Sequence, residues 1–145
     1  GAYTGGTSPT VTVQDGAIVL VLQDDDVIYP YWAVLGEAKL GSGGTLDLYF
    51  TAAGAAEVDI TVDMYHSLNG VAIPATATTT KEKTVIITVA KESVLASFPI
   101  SSGSAADVIR FKITATDVVS GNPGLHAAVV RYTPEHAHTH SEARS

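Results

Sequence analysis

Hydrophobic and polar residues alternate with period two along much of this chain, and no sustained helical period replaces that pattern. Residues 57–67 show it best. Val58, Ile60, Val62 and Met64 fall on one side of an extended chain, and Asp59, Thr61, Asp63 and Tyr65 on the other, because successive strand side chains point to opposite faces. Residues 107–116 and 125–133 predict two more strands, flanking a turn rich in Ser, Gly, Asn and Pro. The run Ala-Ile-Val-Leu-Val-Leu at residues 17–22 has no alternation, which predicts a strand buried on both faces.

The remaining elements follow from weaker signals. Val11-Thr12-Val13 predicts an edge strand, and three aspartates at residues 24–26 break the chain after the apolar run. Residues 27–35 predict a strand with a kink or edge character around Pro30, residues 45–50 a partly alternating strand, and residues 84–90 another. Asn69-Gly70 is a hairpin-type turn signal. At residues 91–97 a short helical turn and a strand compete on equal terms.

Roughly eight strands with turn signals every ~8–12 residues predict an all-β protein, an antiparallel β-sandwich with a jelly-roll-like arrangement. The organisation is an N-terminal arm and edge strand over residues 1–16, a β-sandwich domain over 17–134 and a polar tail over 135–145. The expected core comprises or borders Val19, Val21, Val58, Ile60, Val62, Ile87, Ile109, Phe111, Ile113, Val129 and Tyr132.

Composition changes this picture in two ways. Charged residues make up 16% of the chain, well under the ~25% of an average domain, and Thr, Ser, Ala and Gly take their place. Such a neutral surface suits packing against copies of itself or a larger assembly. The net charge is −7, and the eight Lys and Arg are dispersed, so no cluster could neutralise several phosphates and direct nucleic-acid binding is not expected. The absence of cysteine removes thiol chemistry and disulfides. The longest apolar run is far short of a membrane span.

Candidate chemistry is sparse. His136, His138 and His140 alternate with Ala137 and Thr139, so in an extended tail the imidazoles share one side. Three such tails around an axis could offer six nitrogens to one octahedral ion; a solvated tail without metal is the plainer reading and the one expected, with no cofactor. Asp24 and Asp26 could converge as oxygen ligands for calcium, against a solvated turn. Tyr29, Tyr31 and Trp32 could form a stacking platform for a sugar, against ordinary packing. His66 and His126 stand on separate strands without a nucleophile-elbow or glycine-loop motif beside them, and no enzymatic activity is expected.

Residues 107–134 resemble a β-hairpin near the end of jelly-roll proteins in tailed-phage particles. The matching residues are Asp107, Ile109-Arg110-Phe111, Asp117, Leu125-His126 and Tyr132. Ala127 stands where the pattern commonly has glycine, and Asn122-Pro123-Gly124 lengthens the turn. The alternating histidines are likewise similar to His-x-His elements of trimeric phage fibres and spikes, where iron sits on the axis. A compact domain with short arms is the anatomy of a capsid decoration protein. The resemblance therefore implies a virion structural protein on the outer capsid surface, binding itself as a homotrimer and the major capsid protein. The uncharged residues 1–10 would reach a neighbour. The alternative is a carbohydrate-binding or receptor-binding β-sandwich module of a phage tail or cell surface.

Overall fold

The computed structural model describes residues 9–14, 16–30, 34–35, 44–100 and 108–131. Among the described residues ten strands occur in chain order: β1 (Thr10–Gln14), β2 (Ala17–Val21), β3 (Val27–Ile28), β4 (Val34–Leu35), β5 (Thr45–Thr51), β6 (Ala56–Ser67), β7 (Thr79–Ile87), β8 (Val94–Pro99), β9 (Val108–Val119) and β10 (Gly124–Arg131). They form two antiparallel sheets. One has the order β1-β2-β10-β5-β8; the other has β3-β9-β6-β7, with β4 also pairing β9.

The pairings are nested. β6 pairs with β7, β5 with β8, β3 and β4 with β9, and β2 with β10. A long ladder of this kind, rolled until β10 meets β5 and β9 meets β6, gives the jelly-roll-like sandwich expected from the strand count. β3 and β4 follow one another along the same edge of β9, with Ile28 opposite Ile113 and Val34 opposite Ile109. Pro30, where the sequence predicts a kink or edge character, lies after β3.

The alternation of β6 translates directly into burial. Val58, Ile60, Val62 and Met64 are fully buried, and meet Leu46, Leu48 and Phe50 of β5 and Phe98 of β8 in one core cluster with Ile109, Phe111 and Ile113 of β9. β7 is an edge strand, and it carries Lys81 and Lys83 on its inward row, opposite Val62 and Ile60. Lys83 Nζ lies 5.8 Å from the centre of the Phe98 ring, so its stem lids the open side of the core while its charge guards the edge against another strand.

Several expectations are corrected. Residues 17–22 are not buried on both faces: Val19 is buried, but Ile18 is 66% exposed, because β2 lies next to the outermost strand, where the second sheet no longer covers it. Val129 is 38% exposed. A bulge between Leu125 and Ala127 shifts the register by one residue and so exchanges the two faces; Val130 then opposes buried Leu46, and Val129 opposes Asp47 on the outer face. The helical alternative at residues 91–97 gives way to β8, which starts after a left-handed turn at Lys91 (φ 67°) whose N–H donates to the Ala52 carbonyl at 2.8 Å. Asn69-Gly70 does turn, with Gly70 at φ 80°, but the connection from β6 to β7 runs on over residues 68–78.

The hairpin expected within residues 107–134 is also corrected, as far as β9 and β10 describe it. β9 and β10 belong to different sheets, and the turn between them is an arch that carries the chain across the sandwich. Its carbonyls hold it there: Gly121 O accepts Ala53 N–H at 2.8 Å, and Pro123 O accepts Leu22 N–H at 2.9 Å. Tyr132 of the expected core lies outside the described residues.

Candidate functional site

Among the described residues, four places bring chemistry-bearing or uncovered side chains together. The first is the outward face of the β5 sheet. Asp47 stands on the outward row, yet it is only 2% exposed. It accepts the Ser97 hydroxyl at 2.6 Å and Arg131 Nε at 2.6 Å, while Arg131 Nη2 donates to the Tyr49 hydroxyl at 2.7 Å. Desolvation alone would raise the Asp47 pKa. The hydrogen bonds from Ser97, Arg131 and Thr45, with the Arg131 charge, outweigh it and hold the carboxyl below its ordinary value. This pair therefore adds stability that is present above the ordinary carboxylate pKa and is lost as pH falls through the lowered one. Arg131 remains 59% exposed, so solvent screens much of the attraction.

His126, at the bulge, extends this face. Its Nε2 lies 2.9 Å from Ser93 Oγ, with the direction of the hydrogen bond set by the tautomer, and its ring centre lies 6.2 Å from that of Tyr49. It is thus not isolated as its sequence context implies. Among the described residues no carboxylate bonds its other nitrogen, so the serine–histidine pair lacks the orienting third group of a triad.

The second place is acidic. Asp24 Oδ1 accepts Val118 N–H at 2.7 Å, whereas Asp26 is 1% exposed and folds back to accept Gln23 N–H at 2.8 Å. The two aspartates that could have converged on a calcium ion are therefore sent apart, one to the surface and one inward. Asp24 and Asp25 instead lie near enough to Asp117 for their charges to act on it, and Asp59 contacts Asp117 as well. A hydrogen bond with Asp59, then the Asp59 charge, then slight burial and the charges of Asp24 and Asp25 push the Asp117 carboxyl above its ordinary value. Among the described residues no three His, Asp or Glu side chains are set to hold a metal ion. His136, His138 and His140 lie outside the described residues.

The neighbouring carboxylates therefore disfavour the ionised form of Asp117, an effect that solvent screens at this exposed site. A raised pKa means that the protonated form's stabilisation is complete below the ordinary value and vanishes as pH rises through the raised one. Asn tolerates the φ of 51° found at Asp117. Asp117→Asn is expected to raise the melting temperature at pH 7 and to lose that gain as pH falls below the ordinary Asp value, where Asp117 itself is protonated. Equal melting of the two proteins at pH 7 would remove this account.

The third place is a cleft of about 360 Å³ lined by Tyr29, Pro30, Tyr65, Ile73, Pro74, Arg110 and Phe111. Of the three aromatics singled out from the sequence, it uses Tyr29; Tyr31 and Trp32 lie outside the described residues. Tyr65 and Arg110 were missed, although the alternation of their strands places both on the outward face.

The fourth place is apolar. Phe50, Leu125, Leu20 and Val11 form one row across β5, β10, β2 and β1. Burial fades along it, from fully buried Phe50 to Val11 at 58% exposure; beside it the paired Val13 and Ile18 are 71% and 66% exposed. A cavity of about 400 Å³ opens under this overhang, between Leu20 and Leu125 of one sheet and Ile28 and Ile113 of the other.

Comparison with protein-family models, with curated proteins and with solved structures finds no match to this chain.

Proposed function

We propose that this chain is a non-enzymatic virion structural protein that decorates and stabilises the outer surface of a phage capsid as an oligomer, most simply a trimer. The observation that carries the assembly is the uncovered row of Val11, Val13 and Ile18 on the inward face of β1 and β2. An apolar face continuous with the core but left open in one chain supports contact with another chain. The low charge supports the same reading, since closely packed copies then leave few unpaired ions at buried contacts. The partners are further copies and the major capsid protein, with neither nucleic acid nor membrane involved. Stabilisation works by linkage: a protein that binds only the mature lattice lowers that lattice's free energy by mass action.

The test has two stages. Sedimentation is expected to show an oligomer that Val13→Asp/Ile18→Asp converts to a folded monomer, because these side chains are exposed in the single chain. Wild-type protein, added to undecorated heads, is expected to raise their survival under heat or osmotic stress, and the double variant to fail. A wild-type monomer, or heads whose survival is unchanged, would sink the proposal.

A second reading, a carbohydrate-binding module, is favoured by the cleft beside Tyr29, which puts two tyrosine rings and an arginine around one concavity.

A further inference from the structure

Tyr65 of β6 is in register with Arg110 of β9, both on the outward rows of the second sheet. Tyr29 follows β3 beside Lys112, whose Nζ lies 6.0 Å from the centre of the Tyr29 ring. Arg110 thus lines the cleft together with both tyrosines, and Ile73 and Pro74, from the connection between β6 and β7, line it as well. Phe111, buried on the inward row of the same strand, underlies it.

The two described arginines are held differently. Arg131 is clamped by the buried carboxylate of Asp47. Arg110 is exposed and donates through Nη1 to the Ser67 hydroxyl at 2.9 Å; among the described residues no carboxylate pairs with it. A guanidinium with its fork still open to solvent is suited to bidentate capture of a carboxylate. Lys112 adds a second cation, moderated by Asp63 opposite it in the β6–β9 ladder, whose Oδ1 accepts the Thr80 hydroxyl. In a chain of net charge −7 this is a localised positive spot, too small for a run of phosphates and matched to one acidic group.

The rest of the cleft selects the body that carries that group. Tyrosine rings offer apolar faces for the C–H side of a pyranose, and their hydroxyls offer hydrogen bonds at its rim. The volume of about 360 Å³ lies at the small end of ligand sites, room for one or two sugar rings.

We propose that the Tyr29–Tyr65–Arg110 cleft binds an acidic sugar, a uronic- or sialic-acid residue of a glycan, with its carboxylate on Arg110 and its ring against the tyrosines. This rests on the second reading above and is independent of the capsid assignment.

The test uses an array of uronic- and sialic-acid glycans printed beside their methyl esters, which keep the ring and remove the charge, followed by calorimetry on the best binder. At least one acid is expected to bind tenfold or more tightly than its ester. Arg110→Gln is expected to abolish that preference, Tyr65→Ala to weaken acid and ester alike, and Tyr65→Phe to retain the stacking; circular dichroism confirms the fold of each. Acid and ester bound equally would overturn the acidic-sugar proposal while leaving carbohydrate binding in place. No glycan bound, or a peptide bound at the cleft instead, would overturn both.

Discussion

Phe98→Ala is expected to cost about 3–5 kcal/mol of folding stability, the range for emptying a fully buried aromatic site. Phe98 has no exposed surface and lies in the core cluster beside Leu46, which it faces across the β5–β8 ladder. The surrounding side chains come from two hydrogen-bonded sheets, so they cannot close in without breaking a ladder, and the cavity penalty should be near full. β8 is also an edge strand, and Phe98 and Ala96 are its main buried anchors. Losing the ring also removes the surface beneath Lys83, opening that side of the sandwich to water. A domain of this size has ~5–15 kcal/mol in total, so the variant should be marginal. Urea unfolding monitored by circular dichroism measures it; a loss below about 1 kcal/mol would show that the ring is not part of the core.

What the sequence revealed of this fold tracks how strongly each pattern depends on distant partners. β6 was legible because it is a central strand with one face on the core and one on solvent, so its period-two pattern contains its whole environment. β2 was not, because an apolar run says nothing about whether a second sheet extends far enough to cover it. Val13 and Ile18 have the composition of core and the position of an overhang. The bulge at His126 was hidden for another reason: one extra residue reverses every later side chain, and an Ala-Ala-Val-Val segment reads the same in either phase. The arch between β9 and β10 reads as a hairpin in the sequence, since two strands and a turn are common to both; only the partner sheet distinguishes them.

The candidate cleft shows the same limit. Tyr29 was visible as an aromatic beside a proline, and the outward positions of Tyr65 and Arg110 follow from the alternation of their own strands. Their meeting does not. It depends on the registers of β6 and β3 against β9, which bring together residues far apart in the chain. Asp47 is similar: nothing local marks it as buried, and its Ser97 and Arg131 partners arrive from β8 and β10.

Gly121→Ala is expected to destabilise the protein by about 3 kcal/mol, combining backbone strain with a clash that cannot relax. Gly121 has φ 77°, and a Cβ there would lie 2.3 Å from the carbonyl oxygen of Ala55 and 2.7 Å from that of Gly54. Both obstacles are backbone atoms of the β5–β6 crossing, so no rotamer change removes them. Moving the arch away would stretch the bonds that Ala53 N–H and Gly54 N–H donate to Gly121 O, at 2.8 and 3.3 Å. These two crossings, one after β5 and one after β9, are thereby locked together at one end of the sandwich, and the bond from Leu22 N–H to Pro123 O ties β2 to the same corner. Gly16 is the control. It has nearly the same φ, 82°, but open space where its Cβ would be, so Gly16→Ala should cost only the left-handed strain, about 1 kcal/mol. The difference between the two measures the steric lock alone. Equal losses for the two variants in chemical denaturation would mean that the arch yields freely, and that the corner it forms is not what holds the two sheets in register.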